Sequence, residues 1–130
     1  MYELMTREIV VRVEPEFMAE ESAPEDDYYV WSYTVEIENH GTETIQLRAR
    51  EWQITDASGR TQEVHGDGVV GVQPVLAPGD GYEYSSGTPL STPSGLMAGT
   101  YTVQTDTGEL FDVRVPAFSL DSPHEVRSLN

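Results

Sequence analysis

Apolar and polar positions alternate along much of the chain. Tyr29, Trp31, Tyr33, Val35 and Ile37 make one row, and Ser32, Thr34, Glu36 and Glu38 make the other. A period of two over that length predicts a strand with one buried face and one wet face, as in an antiparallel sheet. Ile9, Val11 and Val13 repeat the pattern, and Pro15 is expected to end its regular part. Ile45, Leu47 and Ala49 share one parity, whereas Trp52 and Ile54 take the other. One inserted residue near Arg50 or Glu51 would restore a single apolar face, so a β-bulge or a strand switching sheets is expected there. Short strands follow at Thr61 to Val64, Tyr101 to Thr105, and Phe111 to Val115; Val75-Leu76 leads into a turn before Tyr82 and Tyr84, and Phe118 and Leu120 are expected to cap the core.

Turn residues separate these runs at Asn39-His40-Gly41, Asp56-Ala57-Ser58-Gly59, Ala77-Pro78-Gly79 and Asp106-Thr107-Gly108. Ser85 to Ala98, with Pro89, Pro93 and Gly95, reads as a long loop of the kind on which scaffolds display binding residues. The 8 Pro and 11 Gly are spread widely enough that no window supports a helix. Many short strands at this spacing predict an all-β sandwich or barrel. The 130 residues suit one domain, expected over 1–123, with a flexible tail over 124–130.

Charge narrows the function. There are 23 acidic and 7 basic residues, for a formal net charge of -16. Such a surface repels nucleic acid and anionic membranes, so neither is an expected partner. Adaptation to high salt would produce the same excess of carboxylates. With no cysteine there are no disulfides and no thiolate sites. The N-terminus lacks a secretory pattern, and a cytoplasmic protein is the simplest expectation.

The most tempting chemistry is Gly66-Asp67-Gly68-Val69-Val70-Gly71, a G-x-G-x-x-G hexamer. In a dinucleotide site those glycines join a buried parallel strand to a helix whose N-terminus carries the pyrophosphate. Here Thr61 to His65 is too polar for such a strand, and Pro74 and Pro78 forbid the helix. The glycines are therefore expected to turn a corner, with weak anion binding by their amides as the alternative. His65, Gly66, Gly68 and Gly71 are the candidate binding residues. His65 and Glu63 alternate onto one face and offer two metal ligands at most, so no metal site is predicted. The acidic run from Glu20 to Asp27 lacks EF-hand spacing and reads as a solvated loop. No G-x-S-x-G elbow or nucleophile-base pair stands out, and neither a catalytic residue nor a cofactor is predicted.

An ordered series of segments then resembles the ApaG (CorD) family. It runs from Tyr29-Val30-Trp31-Ser32-Tyr33-Thr34 through Arg50-Glu51-Trp52-Gln53-Ile54-Thr55-Asp56 and the glycine hexamer with Val72-Gln73-Pro74. It continues through Leu76-Ala77-Pro78-Gly79, Tyr84-Ser85-Ser86-Gly87 and Thr92-Pro93-Ser94-Gly95 to Val115-Pro116-Ala117-Phe118. The resemblance implies a fibronectin type III-like, immunoglobulin-like sandwich of two antiparallel sheets. It implies a family associated with cobalt and magnesium tolerance and with an operon for diadenosine tetraphosphate hydrolysis, and used in eukaryotes as an interaction module. No catalytic residue is carried over. Glu51 departs from a histidine usual before the tryptophan, and Val72 from a common acidic residue. The function expected is a non-enzymatic module that binds an unidentified protein partner, as a monomer or weak homodimer. The alternative is a small-ligand binder for nucleotide polyphosphate or a divalent cation at the glycine loop.

Overall fold

A computed structural model of the protein describes residues 1–125. Nine strands form two antiparallel sheets: β1 (Tyr2–Thr6), β2 (Ile9–Phe17), β3 (Tyr29–Asn39), β4 (Ile45–Asp56), β5 (Thr61–Asp67), β6 (Val75–Leu76), β7 (Gly81–Leu90), β8 (Gly95–Thr105) and β9 (Leu110–Leu120). One sheet runs β1-β2-β3-β7; the other runs β5-β4-β8-β9, with β6 paired beside β4. The only helical pieces among the described residues are two 3₁₀ turns, Ala19–Glu21 and Pro24–Asp26. This is the all-β, immunoglobulin-like sandwich of the sequence reading.

The apolar row of β3 is the centre of the core. Tyr29, Trp31, Tyr33, Val35 and Ile37 are all buried, and the alternation continues to Asn39. Asn39 is thus the last inward residue of a strand and not an exposed turn residue. Its amide donates to the Glu43 and Leu76 carbonyls and its oxygen accepts from Gly41 N, so a buried polar side chain is satisfied. Trp31 Nε1 donates to the Asp121 carbonyl at 2.8 Å. From the other sheet, Leu47, Trp52, Tyr101, Val113, Phe118 and Leu120 close the interior. Phe118 sits against Tyr33 and Trp52, with ring centroids 6.0 and 6.2 Å apart.

Three local expectations change. β2 runs past Pro15 to Phe17; Pro15 lies beyond the end of β1, where β2 is an edge and a strand proline is tolerated. Ser85 to Ala98 is no long loop: β7 continues to Leu90 and β8 starts at Gly95. β7 is an edge strand paired only with β3, so Gly87 and Pro89 fit without breaking a central ladder. The predicted bulge exists but lies earlier: the β4–β8 register shifts between Leu47 and Ala49. The extra residue is the exposed Arg48, and it brings Arg50, Trp52 and Ile54 into the inward row. The tail expected over 124–130 falls outside the described residues from 126 onward. His124 packs its ring against Phe17 and Tyr29, with centroids 5.9 Å from each.

The two flanks of the sandwich differ. At one, β1 lies against β9: Arg114 N donates to Thr6 Oγ1, Ser119 N donates to Tyr2 Oη, and the Tyr2 and Phe118 rings meet at 6.1 Å. Arg7, at the tip of the β1–β2 hairpin, binds Glu109 with both terminal nitrogens and stacks 4.0 Å over Phe111. At the other flank, β5 and β7 are free edges of the two sheets, and a cleft of about 250 Å³ opens between them.

Candidate functional site

The glycine hexamer lies at that open flank, and its three glycines answer three separate geometric demands. Gly66 is still inside β5, opposite Arg50. A β-carbon there would come within 2.7 Å of the Arg50 guanidinium, so the glycine is the seat on which that group lies. Gly68 has φ +54°, and a β-carbon would collide with the Val72 carbonyl. Gly71, with φ +83°, follows Val70, with φ +50°. Positive φ at both central residues marks a type I′ turn, closed by Val69 N to Val72 O at 2.6 Å and Val72 N to Val69 O at 3.0 Å. No helix starts after Gly71; the chain goes on extended into β6.

Three of the amides around the hexamer are already engaged. Gly68 N donates to the carbonyl of the bulge residue Arg48 at 2.7 Å, and Val69 N and Val72 N donate within the turn. Val69 is 1% exposed and anchors the turn in the core. Val70 and Val72 instead face solvent, at 58% and 49% exposure. A β-branched residue at positive φ is rare, so Val70 stores strain where it is displayed.

Arg50 lies half-buried in the cleft between β5 and β7. Its Nη1 donates to the Asp67 carbonyl at 3.0 Å and more weakly to that of Gly68 at 3.4 Å. No carboxylate among the described residues pairs with it, although the acidic residues outnumber the basic ones more than threefold. Tyr33, Tyr84 and Ser86 line the same cleft, and the Tyr33 and Ser86 side chains hydrogen-bond. The Tyr84 and Tyr101 hydroxyls hydrogen-bond to each other. Burial pushes all three phenols up from their ordinary value, most of all Tyr84 and Tyr101, so they stay protonated at neutral pH. Sequence reasoning missed Arg50. Its signal was the parity it shares with Trp52 and Ile54.

His65 points the other way. It stands on the outer face of the five-stranded sheet, opposite Glu51 in register and 3.7 Å from Glu63. One ligand atom from each of Glu51, Glu63 and His65 lies within 4.8 Å of the others. Two of these three were visible in the sequence as alternate residues of one strand; Glu51 joins them through the strand pairing. Two carboxylate oxygens and an imidazole nitrogen suit a borderline divalent cation. The candidate residues therefore do not form one site: His65 is on the outer face, Gly66 beneath Arg50, and Gly68 and Gly71 in the turn.

Strand order, bulge and glycine turn define a two-sheet immunoglobulin-like sandwich with one sealed flank and one open one. The ApaG domain model matches residues 19–105. The chain is 62% identical over 124 residues to Protein ApaG of Rhodospirillum centenum, covering 95% of each chain, and 60% identical to that of Rhodopseudomonas palustris over the full length of both. A crystal structure of a Bordetella pertussis protein described as ApaA superposes with TM-score 0.86 at 46% identity, covering 90% of this chain and 95% of that one. The chain belongs to the ApaG family. No helix among the described residues is long and apolar enough to cross a membrane.

Proposed function

We propose that this ApaG-family chain is a non-enzymatic, cytoplasmic interaction module that engages a protein partner at its open flank. One observation carries the reading. Val70, Val72 and Val75 are 58%, 49% and 59% exposed; Val70 lines the cleft between the edge strands β5 and β7, and Val72 and Val75 follow it in the segment that enters β6. Exposed apolar side chains next to unpaired strand edges are the elements from which β-augmentation interfaces are built. The engaged Gly68 amide and the lack of a helix after Gly71 speak against phosphate chemistry at the hexamer. The test is capture from a native lysate by the full-length chain and by the double variant Val72→Asp, Val75→Asp. Partners held by the parent should be lost by the variant while its urea midpoint stays unchanged. Capture of the same set by both would overturn the reading, and so would turnover of a dinucleoside polyphosphate by the purified protein.

A second reading, a divalent-cation binder, is favoured by the Glu51–Glu63–His65 grouping alone. Its site is the outer face of β4 and β5, not the glycine turn. Cobalt(II) is the useful probe because its visible spectrum reports coordination. Binding should need the His65 imidazole nitrogen and disappear in His65→Ala. A spectrum unchanged by that substitution would remove this reading.

A further inference from the structure

We propose that the cleft between β5 and β7 is a binding site for a carboxylate borne on a small apolar body, with Arg50 as the residue that receives it. The inference concerns the cleft, which Val70 lines but Val72 and Val75 do not, and it stands whether or not a protein docks beside it.

The first support is the guanidinium itself. Arg50 is held in place from behind: its plane lies over Gly66, and Nη1 is tied to the Asp67 and Gly68 carbonyls. Its Nε and Nη2 hydrogens have no acceptor among the described residues, and no carboxylate neutralises it. Half of the six described arginines, Arg48, Arg50 and Arg114, lack a carboxylate partner, and Arg50 alone of them lines this cleft. Arg7, Arg12 and Arg60 all have such a partner. A planar guanidinium with free N–H groups matches a carboxylate in geometry and charge.

The surroundings select among anions. Tyr33, Tyr84 and Ser86 line the cleft with neutral hydroxyls, Tyr84 being bonded to Tyr101 and Tyr33 to Ser86, and the walls include the apolar Trp52, Val64 and Met97. A volume of about 250 Å³ admits a body the size of one aromatic ring or one apolar residue. With a single cation inside and a strongly negative protein outside, each further negative charge on a ligand is opposed, which disfavours phosphates and polyphosphates. The carboxylate could belong to a free acid or to the C-terminal residue of a peptide; the recognising chemistry is the same.

The experiment is an NMR titration of the ¹⁵N-labelled full-length chain at physiological salt. The probes are benzoate, benzamide, inorganic phosphate, and an acetylated tripeptide ending in valine as its free acid and as its amide. Benzoate, the free-acid peptide or both should shift the Arg50 Nε–H and Gly66 amide signals saturably. Benzamide, the peptide amide and phosphate should bind about tenfold more weakly or worse, the effect of losing one charge-assisted contact. Arg50→Met should abolish the preference for acid over amide. Binding of benzoate alone assigns a free acid; binding of the free-acid peptide alone assigns a chain terminus. Equal affinity for acid and amide, phosphate binding as tight as either acid, or no shift with any probe overturns the proposal. The acid–amide comparison uses the parent chain, so it decides even if Arg50→Met fails to fold.

Discussion

The two flanks of the sandwich solve the same problem in opposite ways. Any sandwich of open sheets leaves edge strands whose amides invite pairing with other chains. At the β1–β9 flank the side chains of one sheet reach over to the edge of the other. Thr6 and Tyr2 accept from β9 amides, and Arg7 pins the hairpin tip to Glu109 and Phe111. The hairpin tip carries positive φ at two non-glycine residues, Arg7 (46°) and Glu8 (66°), and the Arg7 contacts hold it there. At the β5–β7 flank strained backbone also occurs, at Val70, but no comparable clasp follows. The apolar side chain faces water, the guanidinium behind it lacks a carboxylate, and the edges stay free. Strain that is tied down serves the fold; strain left exposed beside a cleft points to binding.

The contrast can be broken first at its sealed side. Phe118→Ala removes a fully buried ring that touches Tyr2, Tyr33 and Trp52. It should cost about 3–5 kcal/mol in urea unfolding. Arg50→Met, in the open cleft, should cost under about 1 kcal/mol, since it removes two partly exposed hydrogen bonds. Comparable losses for the two would mean that the cleft is as structural as the sealed flank. Next, Gly68→Ala should destabilise by about 3 kcal/mol, because a left-handed backbone and a collision with the Val72 carbonyl act together. A neutral outcome would show that the turn relaxes freely.

A smaller effect of opposite sign sharpens the comparison. Val70→Asn creates Asn-Gly at the centre of the type I′ turn, the pair that geometry prefers. It should raise stability by about 1 kcal/mol while weakening partner capture. Unchanged or reduced thermal stability would show that Val70 is not strained. Smallest is the response to acid. Asp56 at the β4–β5 hairpin is held below the usual carboxylate range chiefly by the Ser58 hydroxyl, and Glu109 by Arg7. Both folded-state pKa values are depressed. Their stabilisation is therefore complete above the unfolded values near 4 and disappears as pH falls through the folded ones. The stability gap between the parent and Asp56→Ala should be constant from pH 7 to about pH 5 and shrink in stronger acid. A gap that widens on acidification would contradict the depressed value.

Much of this was legible in the chain. The β3 row could be read because burial of one sheet face imposes a period of two on residues that are large and apolar without exception. β1 was not read: Tyr2 to Met5 are all exposed, so no alternation marks them, and the strand exists by pairing with β2. β7 passed for a loop because Ser85-Ser86-Gly87-Thr88-Pro89 has turn composition, and an edge strand tolerates it. The glycine hexamer was legible as a turn from the polar Thr61 to His65 run before it and from Pro74 and Pro78 after it. What the glycines make room for was not, because the seat of Gly66 is filled by a residue sixteen positions earlier, and only strand pairing brings the two together. Register was also what hid Glu51 from Glu63 and His65.

One extra residue at position 48 therefore has consequences far out of proportion to its size. Deleting Arg48 would turn the remainder of β4 inside out. Glu51 and Gln53 would be driven toward the core, Trp52 and Ile54 toward water, and the guanidinium of Arg50 would change faces, leaving both candidate sites without their shared strand. Families of this architecture should accept length changes in the β1–β2 or β8–β9 hairpins far more readily than a single-residue deletion in the first half of β4.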